Sequence, residues 1–264
     1  MPFPDAQRVI YKINPLERVI CQLRFPPILK IDAEIPAVFQ DRVRGDYSTF
    51  RETSQSNFPI PQNLKDQIPV DVLKQIGGFS GEKNYEFSSE DSQWTINLSR
   101  TFIALSTTKY QRWEQFKEKL KGPLSAFIDI YSPAFFSRIG LRYVNVIKRS
   151  ALGLNNCDWS ELLQPYVLGV VTSPLMRERI LNLETNHEIQ LSDQESRVRI
   201  VTRLVKSVDG DEQCYMIDSD LFNNSKKDTN QAIEKLDYLN QRASRLIRWC
   251  ITDRLDRAME PEAL

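Results

Sequence analysis

Two aspartates one residue apart, Asp218 and Asp220 in MIDSDLF, are the pair whose type and spacing point most directly to chemistry. On an extended strand alternate residues share a face and lie roughly 6.8 Å apart, so the two carboxylates could hold Mg²⁺ or Mn²⁺ if a third oxygen joined them. Such a pair serves equally to end a strand or to neutralise an arginine on a neighbouring one. Suitable arginines exist: Arg138 and Arg142 flank Gly140 in RIGLRYVNVI, and Arg24 stands in LERVICQLRF. By the same alternation Arg138, Gly140 and Arg142 share one face, opposite Ile139, Leu141 and Tyr143. Gly140 leaves a gap there into which a ligand or another backbone could come close. Arg24, Arg138, Gly140, Arg142, Asp218 and Asp220 are therefore the candidate ligand- or partner-binding set. The alternative for the same residues is cross-strand ion pairing on a solvated sheet face.

Other chemistries have less to work with. The only histidine is His187 in LETNHEIQL, so any Ser-His or Cys-His mechanism would have to run through it. It reads instead as an ordinary strand or turn residue. The sequence holds no G-x-S-x-G elbow, no G-x-G-x-x-G and no phosphate-cradling loop, because Gly77, Gly78 and Gly81 lack the following Lys-Ser/Thr. Cys21, Cys157, Cys214 and Cys250 are far apart, without the paired spacings of zinc or redox sites, and read as reduced, buried thiols. No catalytic residue, cofactor or resident metal is assigned, with Asp218 and Asp220 as the weak metal candidates.

Charge narrows the partner classes. Lys+Arg and Asp+Glu are equal at 35 each, so no global field draws the chain to nucleic acid or an anionic membrane. Arg242, Arg245, Arg248 and Arg254 stud the last helical stretch, and Tyr47, Phe58, Trp94 and Tyr143 could stack on bases. Yet Asp237, Asp253 and Asp256 lie among those arginines and balance them. The N-terminus MPFPDAQRVIYK lacks the pattern of a signal peptide, and no stretch approaches the roughly 20 apolar residues of a membrane span. A cytoplasmic protein is expected.

The elements that must position these residues follow from periodicity. Val19, Cys21, Leu23 and Phe25 alternate with Arg18, Gln22 and Arg24, predicting a strand over 16–25 with one wet face. A helix opening at Asp32 or Ala33 carries Ile35, Val38, Phe39 and Val43 as its apolar stripe. Residues 48–83 read as an irregular excursion ending in a turn. Two strands, 93–100 and 101–108, form a hairpin or one bent strand. Trp113, Phe116, Leu120, Leu124 and Phe127 then make a helix that Gly122-Pro123 should kink or divide. After the central strand, Asp158 and Glu161 predict a capping box. Strands over 179–191, 197–205 and 214–222 follow, with Asp209-Gly210 as a turn, and a long amphipathic helix runs from about Asn230 to Met259.

VICQLRF and SRIGLRY share Leu-Arg-aromatic, and the order strand, helix, antiparallel strands, long helix recurs. The sequence thus predicts an α+β fold of two pseudo-repeated halves, 1–131 and 132–264. They would share one antiparallel sheet within one compact unit, with the helices packed together on one face. In element order this resembles the saddle of the TATA-binding protein and related helix-grip folds. The blocks NPLERVICQLRF, FSRIGLRYVNVI, DSDLF and CITDRLDRAM resemble an uncharacterised, sporadically distributed prokaryotic family with no established activity. The patchy distribution implies mobile genes of the phage-defence or toxin-antitoxin kind.

The reading that results is a non-enzymatic binding module. A protein partner is expected first and a small anionic ligand next, with no membrane association. Nucleic-acid binding through the sheet face or the last helix is one alternative, and a divalent-metal hydrolase built on Asp218 and Asp220 is the other.

Overall fold

The computed structural model describes residues 3–53, 83–176, 179–207 and 212–263. Its strands are β1 (Val9–Tyr11), β2 (Leu16–Arg24), β3 (Thr49–Thr53), β4 (Asn84–Ser88), β5 (Trp94–Ser99), β6 (Phe102–Thr107), β7 (Arg138–Ile147), β8 (Glu184–Gln190), β9 (Ser196–Lys206), β10 (Gln213–Asn223) and β11 (Pro261–Ala263). Its helices are α1 (Leu29–Ala33), α2 (Ala37–Val43), α3 (Trp113–Tyr131), α4 (Trp159–Leu162), α5 (Pro165–Leu168), α6 (Thr229–Cys250) and α7 (Asp253–Ala258).

The fold is α+β. Nine strands form one antiparallel sheet in the order β3-β4-β5-β6-β2-β7-β10-β9-β8, and β1 pairs with β11 in a separate ribbon. Outward from β2 the order is β6, β5, β4, β3, and outward from β7 it is β10, β9, β8. In both runs the opening strand lies innermost and the others follow in reverse chain order. No described helix is long and apolar enough to cross a membrane.

The chain divides into two compact units, one of Met1–Glu17, Leu141–Asn223 and Leu236–Leu264, the other of Arg18–Gly140 and Asn224–Lys235. They are called here the β9 unit and the β5 unit. In the β5 unit, β5 and β6 form a tight hairpin with Ser99 paired to Phe102. Antiparallel register puts Leu23, Ile103 and Leu98 on one face, with Tyr85 paired to Leu98 on β4. That face is buried and carries the aromatic contacts of α3: Phe127 against Phe25 at 4.6 Å between centroids, and Phe116 against Trp94 at 5.6 Å.

The opposite face was expected to be wet and is not. Gln22, Glu86, Asn97, Ser99 and Ser106 are all buried, Asn97 to 1 % exposure. Their short polar side chains partly satisfy one another: Asn84 Nδ2 donates to Asn97 Oδ1 at 2.9 Å, and Ser88 and Thr95 share a hydrogen bond at 3.2 Å.

Helix boundaries differ from the periodic reading where backbone chemistry intervenes. The helix expected to open at Asp32 or Ala33 begins only at Ala37 as α2, after Pro36, which has no N–H to give and takes φ −75°, ψ 56°. The short α1 ends where that helix was to open. Phe39 and Val43 are buried as expected, whereas Ile35 and Val38 are exposed. Helix α3 runs undivided through Gly122-Pro123, with Pro123 buried inside it.

Helix α6 starts on a reciprocal cap: Gln231 N donates to Asp228 Oδ1 at 2.9 Å, and Asp228 N donates to Gln231 Oε1 at 3.1 Å. It stops at Cys250 instead of continuing to Met259. Thr252 takes an extended conformation, and its hydroxyl accepts Leu255 N to cap α7. The α4–α5 segment takes up the backbone groups at this break: Gln164 N donates to Cys250 O and Thr252 N to Leu162 O, both at 3.0 Å. The Asp158–Glu161 capping box of α4 is present as expected. The predicted strand over 179–191 begins only at Glu184. The Asp209-Gly210 turn, Phe58, Gly77, Gly78, Gly81 and most of the 48–83 excursion lie outside the described residues.

Candidate functional site

Asp218 and Asp220 sit in the middle of β10, not near its end. Arg142 on β7 meets Asp218 through both of its forks: Nε donates to Oδ1 at 2.7 Å and Nη2 to Oδ2. Arg142 is 5 % and Asp218 3 % exposed, so this is a buried, bidentate ion pair. Burial alone would push the Arg142 guanidinium down. The charge and hydrogen bonds of Asp218, with the further charge of Asp220, more than offset that, and its pKa is raised.

The surroundings explain the burial. Val144, Val146, Val205, Cys214 and Met216 form a dry apolar cluster, and their alternation with Arg142 and Asp218 places them on the same face. This face also carries charge toward β8. Asp220 lies opposite Arg199, which lies opposite Glu188, an acid-base-acid row across three strands. Arg199 donates to Glu188 at 3.1 Å and Arg197 at 2.9 Å, which holds the Glu188 carboxyl below its ordinary range. Arg203 pairs with Glu184 at 2.9 Å.

The remaining candidates belong to the β5 unit. Arg24 Nε donates to Gln22 Oε1 at 3.0 Å, and Arg24 O accepts Ser137 N at 2.8 Å. At Gly140 a Cβ would stand 2.3 Å from Arg138 Nη1. The gap that glycine opens is thus filled by the guanidinium two residues earlier on the same strand face. The structure thus brings Arg142, Asp218 and Asp220 together in one unit, and Arg24, Arg138 and Gly140 lie in the other. Among the described residues no group of three or more His, Cys, Asp or Glu side chains is placed to hold a metal ion. Both Asp218 oxygens already accept from Arg142, so a cation would have to compete with a guanidinium for them.

On the other face of the β9 unit, the face that meets α6, lies a feature absent from the candidate set. Asn240 Nδ2 donates to Tyr143 Oη at 2.8 Å on this face, and Tyr215 Oη donates to Val167 O at 2.9 Å and bonds Thr202 Oγ1 at 3.1 Å. Beyond them a groove of about 430 Å³ opens beside β8. Its walls are Thr185, His187 and Ile189 of β8, Ile200 and Thr202 of β9, Tyr166 and Val167 of α5, and Trp249 and Cys250 at the end of α6. Asn186 and Glu188 also line it. Thr185 and His187 lie directly opposite Thr202 and Ile200 on β9, so the groove lies over this face of the β8–β9 pair at the end of the sheet. Tyr166 stacks on Trp249 at 4.3 Å between centroids.

Strand β8 ends the sheet order, so no described strand pairs with its outer side. Leu191 N donates to Ser196 O, and Leu183 O accepts Leu204 N. With the continuous β8–β9 register this turns the odd-numbered residues of β8 inward. The N–H and C=O groups of Glu184, Asn186, Glu188 and Gln190 point outward. Leu181, just before β8, is fully exposed, and Leu175 and Met176 earlier in the same lead-in segment are exposed too.

Cys250 lines the groove but is itself buried. Burial pushes the Cys250 thiol up to about 12, and Cys21, Cys157 and Cys214 are likewise free and buried. The sequence allows His187 a strand or a turn, which its place in β8 resolves, and does not show the groove, whose aromatic wall joins Tyr166 to Trp249 from far along the chain. The one sequence signal was the alternation in ETNHEIQ between two exposed acids. No protein-family model and no curated protein matches the chain.

Proposed function

We propose that the protein is a non-enzymatic binding module that takes an extended protein segment along β8. The observation that carries this is β8 at the end of the sheet order, with its even-numbered backbone groups turned outward, beside a groove of about 430 Å³ walled by stacked Tyr166 and Trp249. An added strand gains main-chain hydrogen bonds from the outward groups of Glu184, Asn186, Glu188 and Gln190. Its alternate side chains enter the groove, where Ile189, Ile200 and Val167 favour an apolar residue and Thr185, Thr202 and His187 supply polar contacts. The Arg142–Asp218 pair acts in this reading as an internal brace, since each partner occupies the other.

The experiment is affinity capture with two baits of equal stability, the natural chain and Asn186→Pro. Asn186 points its N–H outward, so proline removes an edge donor and leaves the β8–β9 ladder intact. A protein held stoichiometrically by the natural chain, another species or a differently tagged copy, should be lost from Asn186→Pro and weakened by Tyr166→Ala. Equal capture by the baits, or recovery of nucleic acid alone, would overturn the reading.

A further inference from the structure

We infer that the strand that adds to β8 is the β8 of a second copy of this chain, an antiparallel pairing about a two-fold axis at His187. This rests on the reading of β8 as a strand-binding edge and names its occupant. Two requirements select the register. The outward groups belong to even-numbered residues, so hydrogen-bonded partners across the axis must both be even. Like charges directly opposite one another are unfavourable. An axis at residue 188 sets Glu188 against Glu188 of the copy, and an axis at residue 186 sets Glu184 against Glu188. An axis at His187 pairs Glu184 with Gln190 and Asn186 with Glu188, uses every outward group of the strand, and opposes no two carboxylates.

Side chains on the groove face fit the same axis. Thr185 comes opposite Ile189 of the copy, and the two His187 side chains meet. The copy's Ile189 and His187 thus arrive beside the groove that Thr185, His187, Tyr166 and Trp249 line. The acids on the other face arrive already neutralised, Glu188 by Arg197 and Arg199 and Glu184 by Arg203. A two-fold axis makes such an interface self-complementary and closed, so pairing stops at the dimer. It also removes an edge that would otherwise template uncontrolled association.

The test combines solution mass with a cross-link. Light scattering on the eluting protein should give about twice the 30.7 kDa chain mass, falling to one chain mass in Asn186→Pro at unchanged melting temperature. The His187 pair is a non-hydrogen-bonded one with Cα atoms about 4.5 Å apart, within reach of a disulfide. Mild oxidation of His187→Cys should therefore yield covalent dimer at least tenfold faster than Gln190→Cys, whose partner is Glu184. A natural chain that stays monomeric at all concentrations, a dimer that survives Asn186→Pro, or equal cross-linking at 187 and 190 would overturn self-pairing. A monomer that still captures a different protein through the β8 edge would overturn self-pairing and leave the binding reading standing. A monomer whose edge captures nothing would remove both.

Discussion

Replacing Arg142 by alanine should be among the most damaging single changes to stability. The side chain is 5 % exposed, and its partner Asp218 is 3 % exposed and receives both of its forked hydrogen bonds. Truncation leaves the Asp218 carboxylate in the low-dielectric interior, on the face it shares with Val144, Val146 and Met216, without the guanidinium that donates to both of its oxygens. Breaking a buried pair in this way costs about 3–5 kcal/mol. At about 2.1 cal/mol/K of unfolding entropy per residue over a chain of this length, that corresponds to a fall of roughly 5–9 °C in melting temperature.

Asp218→Asn should cost a similar amount, because it strands the guanidinium instead. The double replacement Arg142→Met with Asp218→Leu keeps the volume apolar and should recover most of the loss. With the single variants Arg142→Met and Asp218→Leu, the natural chain and this double variant form a closed cycle, read by differential scanning calorimetry. A loss below about 2 °C for Arg142→Ala, or single losses that simply add in the double variant, would refute the claim that the two charges are buried against each other.

Other consequences follow from the same structure. Burial pushes the thiols of Cys21 and Cys250 to about 12 and Cys214 to about 11, so at pH 8 these three should resist iodoacetamide until the protein is unfolded, read by mass spectrometry. Burial, only partly opposed by Arg51 and Arg18, raises the Glu86 carboxyl above its ordinary range. A raised carboxyl pKa penalises the folded state as pH climbs through the folded value, so Glu86→Gln should stabilise the protein at pH 7. The gain should vanish below the ordinary carboxylate range in a pH series of thermal melts. Gly140→Ala meets only the flexible end of Arg138, so it should cost under about 1 kcal/mol in urea denaturation, and nothing further once Arg138 is alanine.

The alternation of Val19, Cys21 and Leu23, the helical spacing of Trp113, Phe116 and Leu120, and the Asp158 cap were all readable from local chemistry. Local signals misled where tertiary bonds decided. Nothing near Thr252 shows that Leu162 and Gln164 will claim the backbone groups that let α6 end there. Gln22 read as solvent-facing because periodicity reports one buried face and says nothing about a second.

Within the candidate site, the attraction of Arg142 for the Asp218–Asp220 pair was legible from charge and strand parity. The groove was not, since Tyr166, His187 and Trp249 are far apart in the chain and meet only through α5, β8 and the end of α6.

The most direct measurement of the central claim is residue-resolved hydrogen exchange along β8 as a function of protein concentration. In dilute protein the outward amides of Glu184, Asn186, Glu188 and Gln190 should exchange fast, while those of Thr185, His187 and Ile189, held by β9, stay protected. At high concentration the outward set should become protected as the edge is paired, and Asn186→Pro should abolish that change. Outward amides that are protected at every concentration, or that stay fast under conditions where a complex forms, would contradict the account.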